Sequence, residues 1–220
     1  MKDWRLIYII FAKSEDKLYI SNKNRQAYFV LLSVCIIFVR INLKNCNVMF
    51  DKETYVQRRA LLKKNIGSGV LLFLGNDEQG LNYEDNAFRY RQDSTFLYYF
   101  GLSFAGLSAI IDIDEDKEII FGDELTIDHI VWMGTQPTLK EKSERVGIRE
   151  TLPSAAIISY LHKAVQKGQT VHYLPPYRPE HKLKLMDWLG IPPARQEGSV
   201  PFIRAVVAQR NYKSAEEIAE

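Results

Sequence analysis

Five consecutive apolar residues, Val70-Leu71-Leu72-Phe73-Leu74, stand between Gly69 and Gly75 and limit what this chain can fold into. The run is too short for an ordinary helix and shows no polar alternation, so it reads as a buried central strand. Such a strand needs cover on both faces, and the segments around it supply candidates. Upstream, residues 51–64 read as an amphipathic helix with Tyr55, Leu61 and Leu62 on its apolar side. Its acids come first and its bases last, as the helix dipole favours. The Arg58-Arg59 and Lys63-Lys64 pairs read as a solvated helix face.

Downstream, residues 75–87 are polar and loop-like. Ser94 is placed to cap residues 95–100, a segment dense in aromatics (Phe96, Tyr98, Tyr99, Phe100) that Gly101 stops. Its periodicity leaves strand and buried helical turn both open. Residues 108–112 and 117–121 flank an acidic tetrapeptide and predict a hairpin. Asp112 and Asp114 form an Asp-x-Asp pair, which reads as turn formers facing water rather than metal ligands. A short element at 126–133 ends in Trp132-Met133-Gly134. Helices are expected at 138–146, 153–166 and 180–189, with a short strand at 170–174 stopped by Pro175-Pro176. Residues 200–210 lead to Ser214-Ala215-Glu216-Glu217, a capping box that would open a new helix. Strands alternating with helices predict an α/β fold, a mixed sheet flanked by helices with an antiparallel part at the hairpin.

Composition divides the chain at Met49. All 12 glycines and all 8 prolines follow that position, and both cysteines, Cys35 and Cys46, precede it. Residues 1–48 carry eight Lys/Arg against three acids, so the formal net charge of +2 arises there. Residues 27–39 are apolar apart from Ser33, shorter than the roughly 20 residues a spanning helix needs. The segment reads as translated sequence upstream of a start at Met49, with a short membrane anchor through residues 27–39 as the alternative. The small net charge, without a basic stripe, argues against nucleic acid. Two cysteines without a CxxC, and four scattered histidines, give no disulfide framework or metal motif.

Four stretches after Met49 resemble, in order, the amino-terminal domain of aminopeptidase P-type Xaa-Pro aminopeptidases, of the creatinase/prolidase-like superfamily. Tyr55-Val56-Gln57-Arg58-Arg59-Ala60-Leu61-Leu62 is similar to that domain's first helix. Tyr90-Arg91-Gln92-Asp93-Ser94, followed by aromatics and Gly101, resembles the Arg-Gln-(Asp/Asn)-Ser signature. Ile130-Val131-Trp132-Met133-Gly134 resembles a Trp-x-Gly element. Arg210-Asn211-Tyr212-Lys213-Ser214 resembles the junction that opens the catalytic domain.

The resemblance implies an amino-terminal domain at 49–212, with residues 213–220 beginning a "pita-bread" catalytic domain whose remainder would follow Glu220. It implies an enzyme that removes a residue preceding proline with two divalent metals, manganese being usual, held by two Asp, one His and two Glu. None of those ligands falls on this sequence, so no catalytic or metal residue is carried over and the fragment alone is expected to be inactive. The domain would shape one wall of a peptide cleft and mediate homo-oligomer contacts in a cytoplasmic enzyme. Arg91, Gln92, Asp93 and Ser94 read as structural: Asp93 and Ser94 suit an N-cap pair, and Arg91 suits a carboxylate or carbonyl. Trp132 is either a core aromatic or, as the resemblance implies, a residue at the cleft edge. A prolidase-type dipeptidase and a non-catalytic binding module, as in a histone chaperone of similar architecture, share the pattern.

Overall fold

The computed structural model describes residues 50–213 except 84–85, 127–130, 132–133 and 135, together with residues 215 and 218. These belong to the second of two compact units, Asn47–Glu220. The leader at 1–48, Trp132 with most of its expected element, and Ser214 and Glu217 of the expected capping box lie outside the described residues.

Helix α1 (Lys52–Ile66) leads through Gly67 and Gly69 into strand β1 (Val70–Leu74). A long loop reaches α2 (Ser94–Phe100), and the expected hairpin follows as β2 (Ser108–Asp112) and β3 (Lys117–Phe121). Then come α3 (Leu139–Glu144), β4 (Glu150–Leu152), α4 (Ala156–Gln166), β5 (Val171–Tyr173), α5 (Pro179–Leu189) and α6 (Val200–Asn211). The strands form one sheet in the order β4-β3-β2-β1-β5. β2 pairs antiparallel with β1 and β3, while β5 runs parallel to β1 and β4 parallel to β3. The result is the mixed sheet flanked by helices that the element order implied.

Strand pleating divides the apolar residues between two layers. Leu71, Phe73, Ala109, Ile111 and Ile120 face a layer built by α1, α2, α3 and α6, including Tyr55, Phe96, Phe100 and Phe202. Val70, Leu72, Ile110, Ile119 and Phe121 face Ile157 and Leu161 of α4 and Leu185 of α5. This is why the run at β1 has no polar position: its alternate residues serve two cores. Each fully buried side chain of this size contributes about 1.5–3 kcal/mol.

The first helix departs from expectation. Leu61 is exposed, whereas Arg58 and Arg59 are buried at 7% and 0% exposure instead of forming a solvated face. Tyr55, Arg59 and Leu62 share the inward face by helical spacing, so a guanidinium fills a core position. It can do so because every side of it meets an acceptor. Arg59 donates to Glu118 at 2.7 Å, to the Tyr99 carbonyl at 2.9 Å and to the Val146 carbonyl at 2.9 Å. Burial lowers its pKa and Glu118 raises it again, and the group keeps its charge because arginine starts far above neutrality. Arg58 reaches the Tyr98 carbonyl at 2.9 Å, its guanidinium stacked on the rings of Tyr98 and Phe50.

Other local expectations also shift. Asp112 does not face water; it is 1% exposed and accepts from Glu115 N–H, Tyr160 O–H and the Gln169 amide. The helix expected from 153 begins at Ala156. β4 was not foreseen; its Glu150-Thr151-Leu152 sequence has no apolar run and becomes a strand by pairing with β3.

Three substitutions test this account. Arg59→Met strands two buried carbonyls and part of the Glu118 charge, and is expected to lower unfolding stability by about 3–5 kcal/mol in urea titration. A loss under about 1 kcal/mol would show that the guanidinium is dispensable. Gly101 adopts φ +62, and an added Cβ would fall on the Tyr55 ring. Gly101→Ala should therefore cost about 2–5 kcal/mol, combining backbone strain and overpacking. Gly67, at φ +90 with nothing within 4 Å, should show only the backbone strain, about 1–2 kcal/mol.

Candidate functional site

Of the residues singled out at 90–94, 90–93 lie in the loop between β1 and α2, beyond the carboxyl end of β1, and Ser94 opens α2. Gln92 is buried at 1% exposure and is spent on backbone. Its carbonyl accepts from Asn76 N–H at 2.6 Å and Asp93 N–H at 2.9 Å, while its amide donates to the Phe104 carbonyl at 3.0 Å. A primary amide suits the place because it presents an acceptor and a donor together, which a carboxylate would not. Tyr90 O–H donates to the same Phe104 carbonyl at 2.9 Å, and Asn76 donates to the Arg91 carbonyl at 2.8 Å. The loops on either side of α2 are thereby tied to the end of β1.

Asp93 is the N-cap of α2: one carboxylate oxygen accepts from Thr95 N–H at 2.8 Å and Phe96 N–H at 2.9 Å. Ser94 is the first helical residue, exposed, and does not cap. The second Asp93 oxygen accepts from Tyr177 O–H at 3.1 Å. Arg91 is exposed, and its guanidinium has no acceptor among the described residues; only its carbonyl is engaged. At the other end of the sequence, Arg210 on α6 donates to Thr95 Oγ1 at 2.8 Å. Its neighbour Gln209 accepts from Tyr99 O–H at 3.2 Å and donates to the Arg58 carbonyl at 2.8 Å. The signature run and the start of the junction are thus brought together, with Lys213 exposed just past α6.

Two residues that the sequence reading did not assign to a site also belong to this region. Tyr177 contacts Asp93, and burial followed by the Asp93 charge raises its phenol pKa. His181 is 4% exposed with Nε2 on the Gly75 carbonyl at 3.0 Å, which places its proton on Nε2. Burial lowers its pKa, with the Gly75 bond opposing. Both follow Pro175-Pro176, which was read only as a strand stop. Elsewhere His172 Nδ1 meets Ser199 Oγ at 2.7 Å, joining β5 to the residue that precedes α6.

The arrangement holds backbone and docks helices. Among the described residues no group of three His, Cys, Asp or Glu is placed to hold a metal ion. No helix of the described residues is long and apolar enough to cross a membrane.

Comparison with known proteins places this geometry. Residues 55–173 match the family model for the aminopeptidase P N-terminal domain. A probable Xaa-Pro aminopeptidase of Chaetomium globosum is 29% identical over 112 residues, 49% of this chain and 18% of that protein. Human Xaa-Pro dipeptidase is 33% identical over 76 residues, 33% of this chain and 15% of its own length. The chain thus aligns with under a fifth of these curated relatives. The structure of Pseudomonas aeruginosa aminopeptidase PepP superposes with a TM-score of 0.65 at 22% identity, covering 78% of this chain and 41% of that one. A zinc-substituted Escherichia coli aminopeptidase P in complex with product gives a TM-score of 0.59 at 20% identity, covering 77% and 41%. At these identities the structures speak for the fold, and the family model speaks for descent. With its fold, its signature run and more than half its residues matched, the chain belongs to the aminopeptidase P N-terminal domain family.

Proposed function

We propose that this chain supplies the amino-terminal, non-catalytic domain of a metallo-aminopeptidase that removes the N-terminal residue preceding a proline. The observation that carries the reading is the match of residues 55–173 to the domain that precedes the catalytic unit in such peptidases. In that role the domain shapes one wall of the peptide cleft, Trp132 stands at the cleft edge, and oligomer contacts use its surface. Two divalent metals, manganese by preference, would be held by ligands of the catalytic domain, and when bound would supply an activated water at neutral pH. The geometry agrees with a supporting role: Gln92, Asp93 and Arg210 all have backbone or hydroxyl partners that fix structure. The enzyme would act in the cytoplasm, and residues 1–48 would stand outside the working domain.

A prolidase-type dipeptidase is the second reading, favoured by the 33% identity to human Xaa-Pro dipeptidase over 76 residues. Substrate length separates the two. The 220-residue chain, assayed with manganese against an Xaa-Pro-Xaa tripeptide and an Xaa-Pro dipeptide, is expected to cleave neither. Metal-dependent turnover by this chain would overturn the assignment of chemistry to another domain. The product of the longest transcript containing this sequence is expected to cleave the tripeptide. Cleavage of the dipeptide alone would select the second reading. In that enzyme Trp132→Ala should raise KM several-fold with kcat little changed, whereas loss of folding without a KM effect would return Trp132 to the core.

A further inference from the structure

Beyond the carboxyl ends of the parallel pair β1 and β5, a cleft of about 230 Å³ opens between the Leu174–Tyr177 segment, the start of α2 and α6. Ligands of open α/β sheets collect at the carboxyl ends of strands. The walls are mainly apolar, with Phe73, Leu174, Ile203 and Val206 among them, while Tyr177, His181 and two opposite charges, Asp93 and Arg210, also stand in the lining. Those charges make no ion pair with each other, although Thr95 bonds to both of them. Each has capacity left. The Asp93 oxygen that accepts from Tyr177 O–H keeps a lone pair. Arg210 uses one N–H on Thr95, and its other donors find no acceptor among the described residues.

An apolar cleft bearing one fixed anion and one fixed cation, close together and unpaired, is complementary to a zwitterion with an apolar body. Its volume lies under the roughly 300–1,000 Å³ of pockets for drug-sized ligands, so the occupant is about the size of one amino acid. We propose that this cleft binds a free α-amino acid with an apolar side chain, its ammonium on Asp93 and its carboxylate on Arg210. The guanidinium can take the carboxylate through two N–H groups, and the ammonium approaches Asp93 beside Tyr177. Phe73, Ile203 and Val206 receive the side chain. The proposal does not depend on the peptidase reading.

Calorimetric titration of the 220-residue chain with L-leucine tests it. Saturable one-to-one binding at millimolar concentration or tighter is expected. Leucinamide, which lacks the carboxylate, and N-acetyl-leucine, which lacks the ammonium, should each bind at least about tenfold more weakly. Arg210→Gln, which retains a donor for Thr95, should weaken leucine by a similar factor while its circular dichroism matches wild type. The two analogues act on the unmodified chain, so the test survives if the variant misfolds. Absence of saturable binding overturns the proposal. So does binding of both analogues as tight as that of leucine, or leucine affinity unchanged in a folded Arg210→Gln.

Discussion

Arg59 sits where helix α1 would otherwise present an aliphatic side chain, and its guanidinium links α1 to the end of α2, the turn after α3 and strand β3. A buried charge is unfavourable unless its acceptors are all in place. The Tyr99 and Val146 carbonyls and the Glu118 carboxylate converge only when those three elements pack in one arrangement. A misdocked α1 would leave a cation among Tyr55, Phe100 and Leu62, a penalty of a kind that apolar mispacking does not carry. The apolar layer drives collapse, and this one polar cluster decides its register.

With that layer set, the sheet's carboxyl end becomes a rigid platform. Gln92 and Asn76 tie the loops around α2 to β1 by amide contacts with backbone, and Asp93 fixes the start of the helix. Polar side chains spent this way leave little freedom for chemistry and a good deal for positioning. Asp93, Tyr177 and Arg210 then hold fixed orientations around the neighbouring cleft without strain elsewhere. At the two edges of the sheet, β4 and β5 are three residues each, so neither offers a long template for a foreign strand.

Much of this was legible in the sequence. The β1 run, the hairpin and the helices ended by glycine were visible because their signals are local: apolar runs, turn acids and residues able to take positive φ. The signature run named the family before any coordinates did. β4 was not legible, since Glu150-Thr151-Leu152 owes its conformation to a partner strand. The burial of Arg58, Arg59 and Asp112 was hidden for a related reason. A charged residue reads as solvated until its acceptors are known, and those of Arg59 lie 40, 59 and 87 residues away. Of the candidate site, Asp93 as a cap could be read from spacing, but its meeting with Tyr177 and the approach of Arg210 to Thr95 are tertiary facts. Trp132 lies outside the described residues.

The bond from Gln209 to the Arg58 carbonyl spans 151 positions, and Phe202 of α6 fills the same apolar layer as Tyr55 of α1. On a ribosome adding about 5–20 residues per second, α1 therefore waits roughly 8–30 s for the helix that completes its cover. During that interval the apolar layer that Phe202 and Val206 complete lacks their cover. An apolar layer left open for that time is the kind of surface that aggregates, so the order of synthesis itself becomes a hazard the fold must survive.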